Sequence, residues 1–140
     1  DVTGATSRQI GHEFGAVTGR ERRCGWIDLV ALRYSIMING VTQLIMMKSD
    51  VLDAFPTIKA CVAYKVNGVE TRDFPYDIEQ NIEPVYKELK GWRTNMTRFT
   101  SEEQFPQEFK DYVAFLETEL ETPIKIISIG PDRDQTIERK

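Results

Sequence analysis

The dipeptide Asn67-Gly68 limits the folds open to this chain more than any other local feature. It interrupts TIKACVAYKVNGVETRDFP, residues 57–75, with the two residue types that most readily take the positive φ angles of a two-residue reversal. Val, Ile, Tyr and Thr on either side fit two antiparallel strands. A lone hairpin is marginal in water and needs another layer to cover it. Helical patterns supply one. From Trp26 to Asn39, the residues Ile27, Val30, Ala31, Tyr34 and Ile38 recur at three- and four-residue steps, and Leu29, Leu32 and Met37 widen the stripe. This predicts a helix buried on most sides, ended by Asn39-Gly40. A second amphipathic helix is predicted from Gln107 to Glu121, with Phe109, Tyr112, Val113, Phe115 and Leu116 on its apolar side and Pro106 in its first turn.

The remaining segments complete a layered pattern. QLIMMKSD (43–50) reads as a short, nearly continuous apolar strand of the kind covered on both faces. DVLDAF (50–55) predicts a short helical turn before Pro56, and PIKIISIGPDRD (123–134) a strand leading into a Gly-Pro turn. QTIERK (135–140) reads as a final short strand. Residues 1–25, punctuated by five glycines, read as loop; 78–91 read as an acidic, partly helical segment ending at Gly91; 92–105 read as irregular. Helix, strand, hairpin, helix, strand in that order predicts an α/β fold: a mixed sheet with an antiparallel hairpin and flanking helices.

With 140 residues, 41% of them hydrophobic, the chain fits one domain or a piece of one and can support a core. A net charge of -4 argues against a nucleic-acid partner, which calls for a basic stripe. No run approaches the roughly 18 apolar residues of a membrane span. Cys24 and Cys61 have neither metal-ligand nor redox spacing. Cys61 reads as a buried small residue, and the pair fits a reducing cytosol better than a secreted disulfide framework. The turn-rich start DVTGATSRQIG, without a methionine, leads us to expect a piece of something longer.

Three stretches could carry chemistry. The loop 12–25, HEFGAVTGRERRCG, offers glycine-framed N–H groups, the Thr18 hydroxyl, and Arg20 and Arg22 on one side of an extended segment. Arginine forks suit carboxylates or phosphates, while a solvated basic loop neutralised by Glu21 is equally compatible. The second stretch is Lys48-Ser49-Asp50, at a strand end, where open α/β sheets place ligands. A carboxylate there can accept from guanine N1–H and its exocyclic amine, and adenine presents an acceptor instead; the lysine stem can lie along the base. The plainer alternative makes Asp50 the cap of a helix begun by Val51. The third is SIGPDRD (128–134), whose Ser128 and Gly130 could expose main-chain groups at another strand end, or form an ordinary strand exit. There is no Ser/His/Asp or Cys/His set, no G-x-x-x-x-G-K-[ST] phosphate loop and no metal-ligand spacing.

Taken together, GHEFGAVTGRERRCGW, MKSDVLD followed by IKACVAYKVNG, and ISIGPDRDQTI resemble, in order and over nearly the whole chain, the C-terminal portion of the adenylosuccinate synthetase family. The resemblance implies the C-terminal part of a P-loop-type nucleotide-binding enzyme that ligates IMP and L-aspartate to adenylosuccinate with GTP hydrolysis, in AMP biosynthesis. It implies that Ala16, Val17, Thr18, Gly19, Arg20 and Arg22 form an aspartate loop. Arg20 would also approach IMP, and Arg22 would lie near GTP. Lys48, Ser49 and Asp50, with Ser128, Ile129 and Gly130, would hold the guanine, with the strand-end site extending to Pro131. The family's catalytic residues, phosphate loop and Mg2+ ligands belong to its N-terminal portion. The chain would therefore be inactive alone, with no catalytic or metal residue of its own, and part of a cytoplasmic homodimer. His12 falls on a variable position and takes no catalytic role. Val17 and Met47 stand where the family usually has threonine, removing a hydroxyl at each. A non-catalytic guanine-nucleotide-binding domain is the alternative, and calorimetry with GTP and aspartate separates the two.

Overall fold

The computed structural model describes residues 7–10, 26–47, 49–75 and 81–139; of Ser7–Ile10, Asp50 and Val51 it describes the main chain alone. The strands are β1 (Ser7–Ile10), β2 (Ile27–Asp28), β3 (Gln43–Met46), β4 (Thr57–Val66), β5 (Val69–Thr71), β6 (Ile82–Lys90), β7 (Ile124–Ser128) and β8 (Thr136–Glu138). The helices are α1 (Leu29–Asn39) and α2 (Gln107–Leu120), with 3-10 turns at Ser49–Leu52 and Glu102–Gln104. The α/β class is as expected, but the described strands form two four-stranded sheets rather than one. In the first, β1, β3 and β7 run parallel and β8 pairs antiparallel to β7. In the second, β4 is central: β2 pairs with it in parallel, and β5 and β6 pair antiparallel.

The hairpin forms where Asn67-Gly68 places it. Both residues have positive φ (52° and 86°), the requirement of a reversal whose twist matches its strands, and Val66 pairs with Val69. Several expectations give way. Ser7–Ile10 lies within the stretch read as loop, yet pairs with Gln43–Met46. Ile27 and Asp28 are not helical. They pair with Ala60 and Cys61, and the helix begins only after Asp28 has capped it. The segment read as partly helical is the nine-residue strand β6, laid along the length of β4 from Lys90 opposite Thr57 to Ile82 opposite Val66. Pro84 and the charges Glu83, Lys87, Glu88 and Lys90 mask its period. They are tolerated because β6 is an edge, where charge and proline are at home.

One cluster buries Leu29, Leu32 and Ile36 of α1, Leu44 and Met46 of β3, Ile58 and Ala60 of β4, the α2 face Phe109, Tyr112, Val113 and Leu116, and Ile124 and Ile127 of β7. Both sheets and both helices thus share one core. The prediction that α1 is buried on most sides holds for its first turn; Tyr34, Met37 and Ile38 are exposed. Trp92 and Met96, in the stretch read as irregular, are core residues, with Trp92 edge-on to Phe109 at 4.6 Å between ring centres. Pro106 stands just outside α2, where its carbonyl accepts from Phe109 and Lys110 N–H, rather than in the first turn.

Gly91 joins β6 to this core. Its N–H donates to the Pro56 carbonyl at 2.9 Å, and a Cβ there would fall on the Phe55 carbonyl oxygen. Because the obstacle is main chain, Gly91→Ala is expected to cost roughly 1–3 kcal/mol, read as a lower urea midpoint. An unchanged midpoint would show that the 55–56 segment moves aside freely.

Candidate functional site

The apolar strand β3 ends at Met46, and three residues later the chain enters the 3-10 turn Ser49–Leu52. Asp50 is therefore the second residue of the turn, not the cap of a helix starting at Val51. The turn is held at both ends. Ser49 is 2% exposed, and its hydroxyl donates to the Ser128 carbonyl at 2.7 Å. Asp53, just past the turn, accepts from Trp92 Nε1 at 2.8 Å and from the Met96 N–H at 3.2 Å. The Leu52 carbonyl accepts from the Phe55 N–H at 3.1 Å, closing the chain toward Pro56.

Ser128 ends β7, the strand beside β3, so two parallel strands deliver two of the sequence-predicted stretches to one edge. This is the strand-end geometry in which α/β sheets hold ligands. The carbonyl of Ser128 keeps a second lone pair after Ser49 has used one. The Ser128 hydroxyl donates to the Gly130 carbonyl at 3.2 Å, and the Ile129 N–H donates to the Gln135 carbonyl at 2.9 Å, while the Ile129 side chain is fully buried in the core. Gly130 is buried against the Gln135 side chain, which a Cβ would strike. The 129–135 loop is thereby a closed turn with its main chain pinned.

Of the residues expected to bind ligand, Ser49, Ser128, Ile129 and Gly130 are thus brought together, and the main chain of Asp50 lies beside them. Lys48 lies outside the described residues. So do Ala16, Val17, Thr18, Gly19, Arg20 and Arg22, the whole loop 12–25, and with it His12 and Cys24. Among the described residues no group of three His, Cys, Asp or Glu could hold a metal ion, and no helix is long and apolar enough to cross a membrane. Cys61 is buried in β4, as expected, with its thiol donating to the Ala63 carbonyl at 3.3 Å.

Just after the described chain resumes at Trp26, a buried carboxylate fixes the backbone. Asp28 is fully buried; Oδ1 accepts from Val30 N–H at 3.0 Å and Ala31 N–H at 3.1 Å, and Oδ2 accepts from the Tyr64 hydroxyl. Burial pushes its carboxyl above the ordinary range, against the lowering effect of these hydrogen bonds. The sequence reading missed Asp28 because the helical pattern ran straight through it from Trp26. Its signal was an acidic residue directly before the first fully apolar turn.

Comparison with known proteins now decides the family. The family model of adenylosuccinate synthetase matches residues 1–137. The chain belongs to the adenylosuccinate synthetase family. It is similar to the synthetase of Phocaeicola vulgatus, with 74% identity over 139 residues, 99% of this chain and 33% of that protein. It is likewise similar to that of Porphyromonas gingivalis, 64% identical over the whole chain and 33% of the relative. Among solved structures it resembles the fully ligated synthetase of Plasmodium falciparum, with a TM-score of 0.78 and 28% identity, covering 92% of this chain and 34% of that one. The chain spans about a third of the length of the curated relatives it matches.

Proposed function

We propose that the chain supplies the aspartate loop and guanine pocket of an adenylosuccinate synthetase, which joins IMP to L-aspartate and releases GDP and phosphate from GTP. The single observation that carries this reading is the Ser49–Ser128 hydrogen bond, 2.7 Å, between stretches 79 residues apart that the family resemblance assigns to one base. In this reading Asp50 accepts from guanine N1–H and its exocyclic amine, Lys48 lays its stem along the ring, and residues 128–130 contribute main-chain groups. Arg20 and Arg22 clamp the carboxylates of aspartate, Arg20 reaching also toward IMP and Arg22 toward GTP. The IMP 6-oxygen takes the phosphoryl group of GTP, and the aspartate amine then displaces that phosphate. Groups that activate the oxygen belong to the family's N-terminal portion, so the chain alone is inactive. The ligands of the magnesium ion that the reaction would use belong likewise to the family's N-terminal portion. The full-length enzyme acts as a cytoplasmic homodimer.

The test is a chimera in which this chain replaces the matching third of the Phocaeicola vulgatus relative. It is expected to form adenylosuccinate from IMP, aspartate and GTP. Arg20→Leu in that chimera removes a charged hydrogen-bonding partner and is expected to raise the KM for aspartate at least about tenfold. A soluble but inactive chimera would overturn the reading, and normal aspartate saturation in the variant would overturn the loop assignment.

A further inference from the structure

Residues 92–97 touch both halves of the site without belonging to either. On one side, Trp92 Nε1 and the Met96 N–H donate to the two carboxylate oxygens of Asp53, at 2.8 and 3.2 Å. On the other, the Thr97 carbonyl accepts from Gln135 Nε2 at 3.1 Å. Gln135 in turn closes the 129–135 loop: its Oε1 accepts from the Asp132 N–H at 2.8 Å, its own N–H donates to the Asp132 carbonyl at 3.0 Å, and its carbonyl accepts from Ile129. Since Ser49 bonds Ser128 directly, the hydrogen bonds form a ring that runs from the 49–52 turn through Asp53, residues 92–97, Gln135 and the 129–135 loop back to Ser49. The ring is anchored where it could otherwise slide, because Trp92 and Met96 are buried in the core.

A base pocket built from a short turn and a loop is only as selective as the spacing between them. A carboxylate discriminates guanine from adenine through two hydrogen bonds of fixed direction, and small displacements forfeit them. Resting on the function proposed above, we propose that Asp53 and Gln135 are positioning residues for guanine selection, setting the distance between the Asp50 turn and the 128–130 main chain through residues 92–97. Neither side chain needs to touch the nucleotide.

The substitutions that test this keep size and change hydrogen bonding. Asp53→Asn places an amide donor against one of two N–H donors. Gln135→Glu sets a carboxylate oxygen against the Thr97 carbonyl. In the full-length chimera each is expected to raise the KM for GTP roughly tenfold and to lower the GTP-over-ATP ratio of kcat/KM. The kcat at saturating GTP and the KM for IMP should stay unchanged. Should Asp53→Asn fail to fold, Trp92→Phe deletes the same donor while leaving a ring in the core, and carries the same expectation. A lower Tm with unchanged GTP KM and nucleotide ratio would overturn the proposal and leave these residues purely structural. Asp50→Asn in parallel separates the two levels. If it raises the GTP KM while the positioning variants do not, this inference falls and the guanine site stands. If Asp50→Asn itself has no effect, both fall.

Discussion

Asp28→Ala is expected to destabilise the chain by roughly 2–5 kcal/mol, the combined effect of losing a helix cap and orphaning a buried hydroxyl. The Asp28 carboxylate accepts from the N–H groups of Val30 and Ala31, which α1 cannot satisfy internally, and from the Tyr64 hydroxyl of β4. Alanine leaves all three in a dry site. Asp28→Asn should be far milder, because its Oδ1 still accepts from the two N–H groups and its amide can donate to the Tyr64 oxygen. The pair also differs in pH dependence. Burial raises the Asp28 carboxyl in the folded chain, so the folded state keeps its proton to a higher pH than the unfolded state does. Between the two values the folded state binds more protons, and the contribution of Asp28 to stability falls as pH rises through that window. Urea unfolding from about pH 4 upward should show this decline in the parent chain and lose it in Asp28→Asn. Equal stability of Asp28→Ala and the parent would contradict the role given to this carboxylate.

Legibility followed the range of each interaction. The hairpin was written in two adjacent residues, Asn67 and Gly68, because positive φ is a local demand. The two helices were written in periods that span a dozen residues. Strand β6 was not readable, since its partner β4 tolerates an edge carrying Pro84 and four charges, and only pairing reveals it. Strand β1 was hidden for a similar reason: SRQI is polar by itself and becomes a strand beside β3. At the site, the Ser49–Asp50 and Ser128–Gly130 stretches were readable as lying just past strand ends, and the ligand proposed for them rests on the family resemblance. Asp53, Trp92 and Gln135 were not, because their bonds join residues 39, 43 and 38 positions apart and leave no local signature. Asp28 lay between these cases, a legible cap concealed by a helical period that began too early.

The proposed guanine recognition turns on Asp50. In the 3-10 turn it follows a serine fixed to Ser128, so its main chain is set against the loop expected to face the same base. An asparagine there is nearly isosteric but carries no charge. It also offers an amide donor to a base edge that presents only donors at N1 and the exocyclic amine. Losing a charged acceptor of this kind costs about 1.5–3 kcal/mol, or roughly ten- to a hundredfold in binding. The decisive measurement is the KM for GTP of the chimeric synthetase with Asp50→Asn, taken beside the kcat/KM for ATP and the KM for aspartate. The GTP KM is expected to rise by that factor, the preference for GTP over ATP to shrink, and aspartate saturation to stay as it was. A GTP KM and nucleotide preference equal to those of the unsubstituted chimera would contradict it.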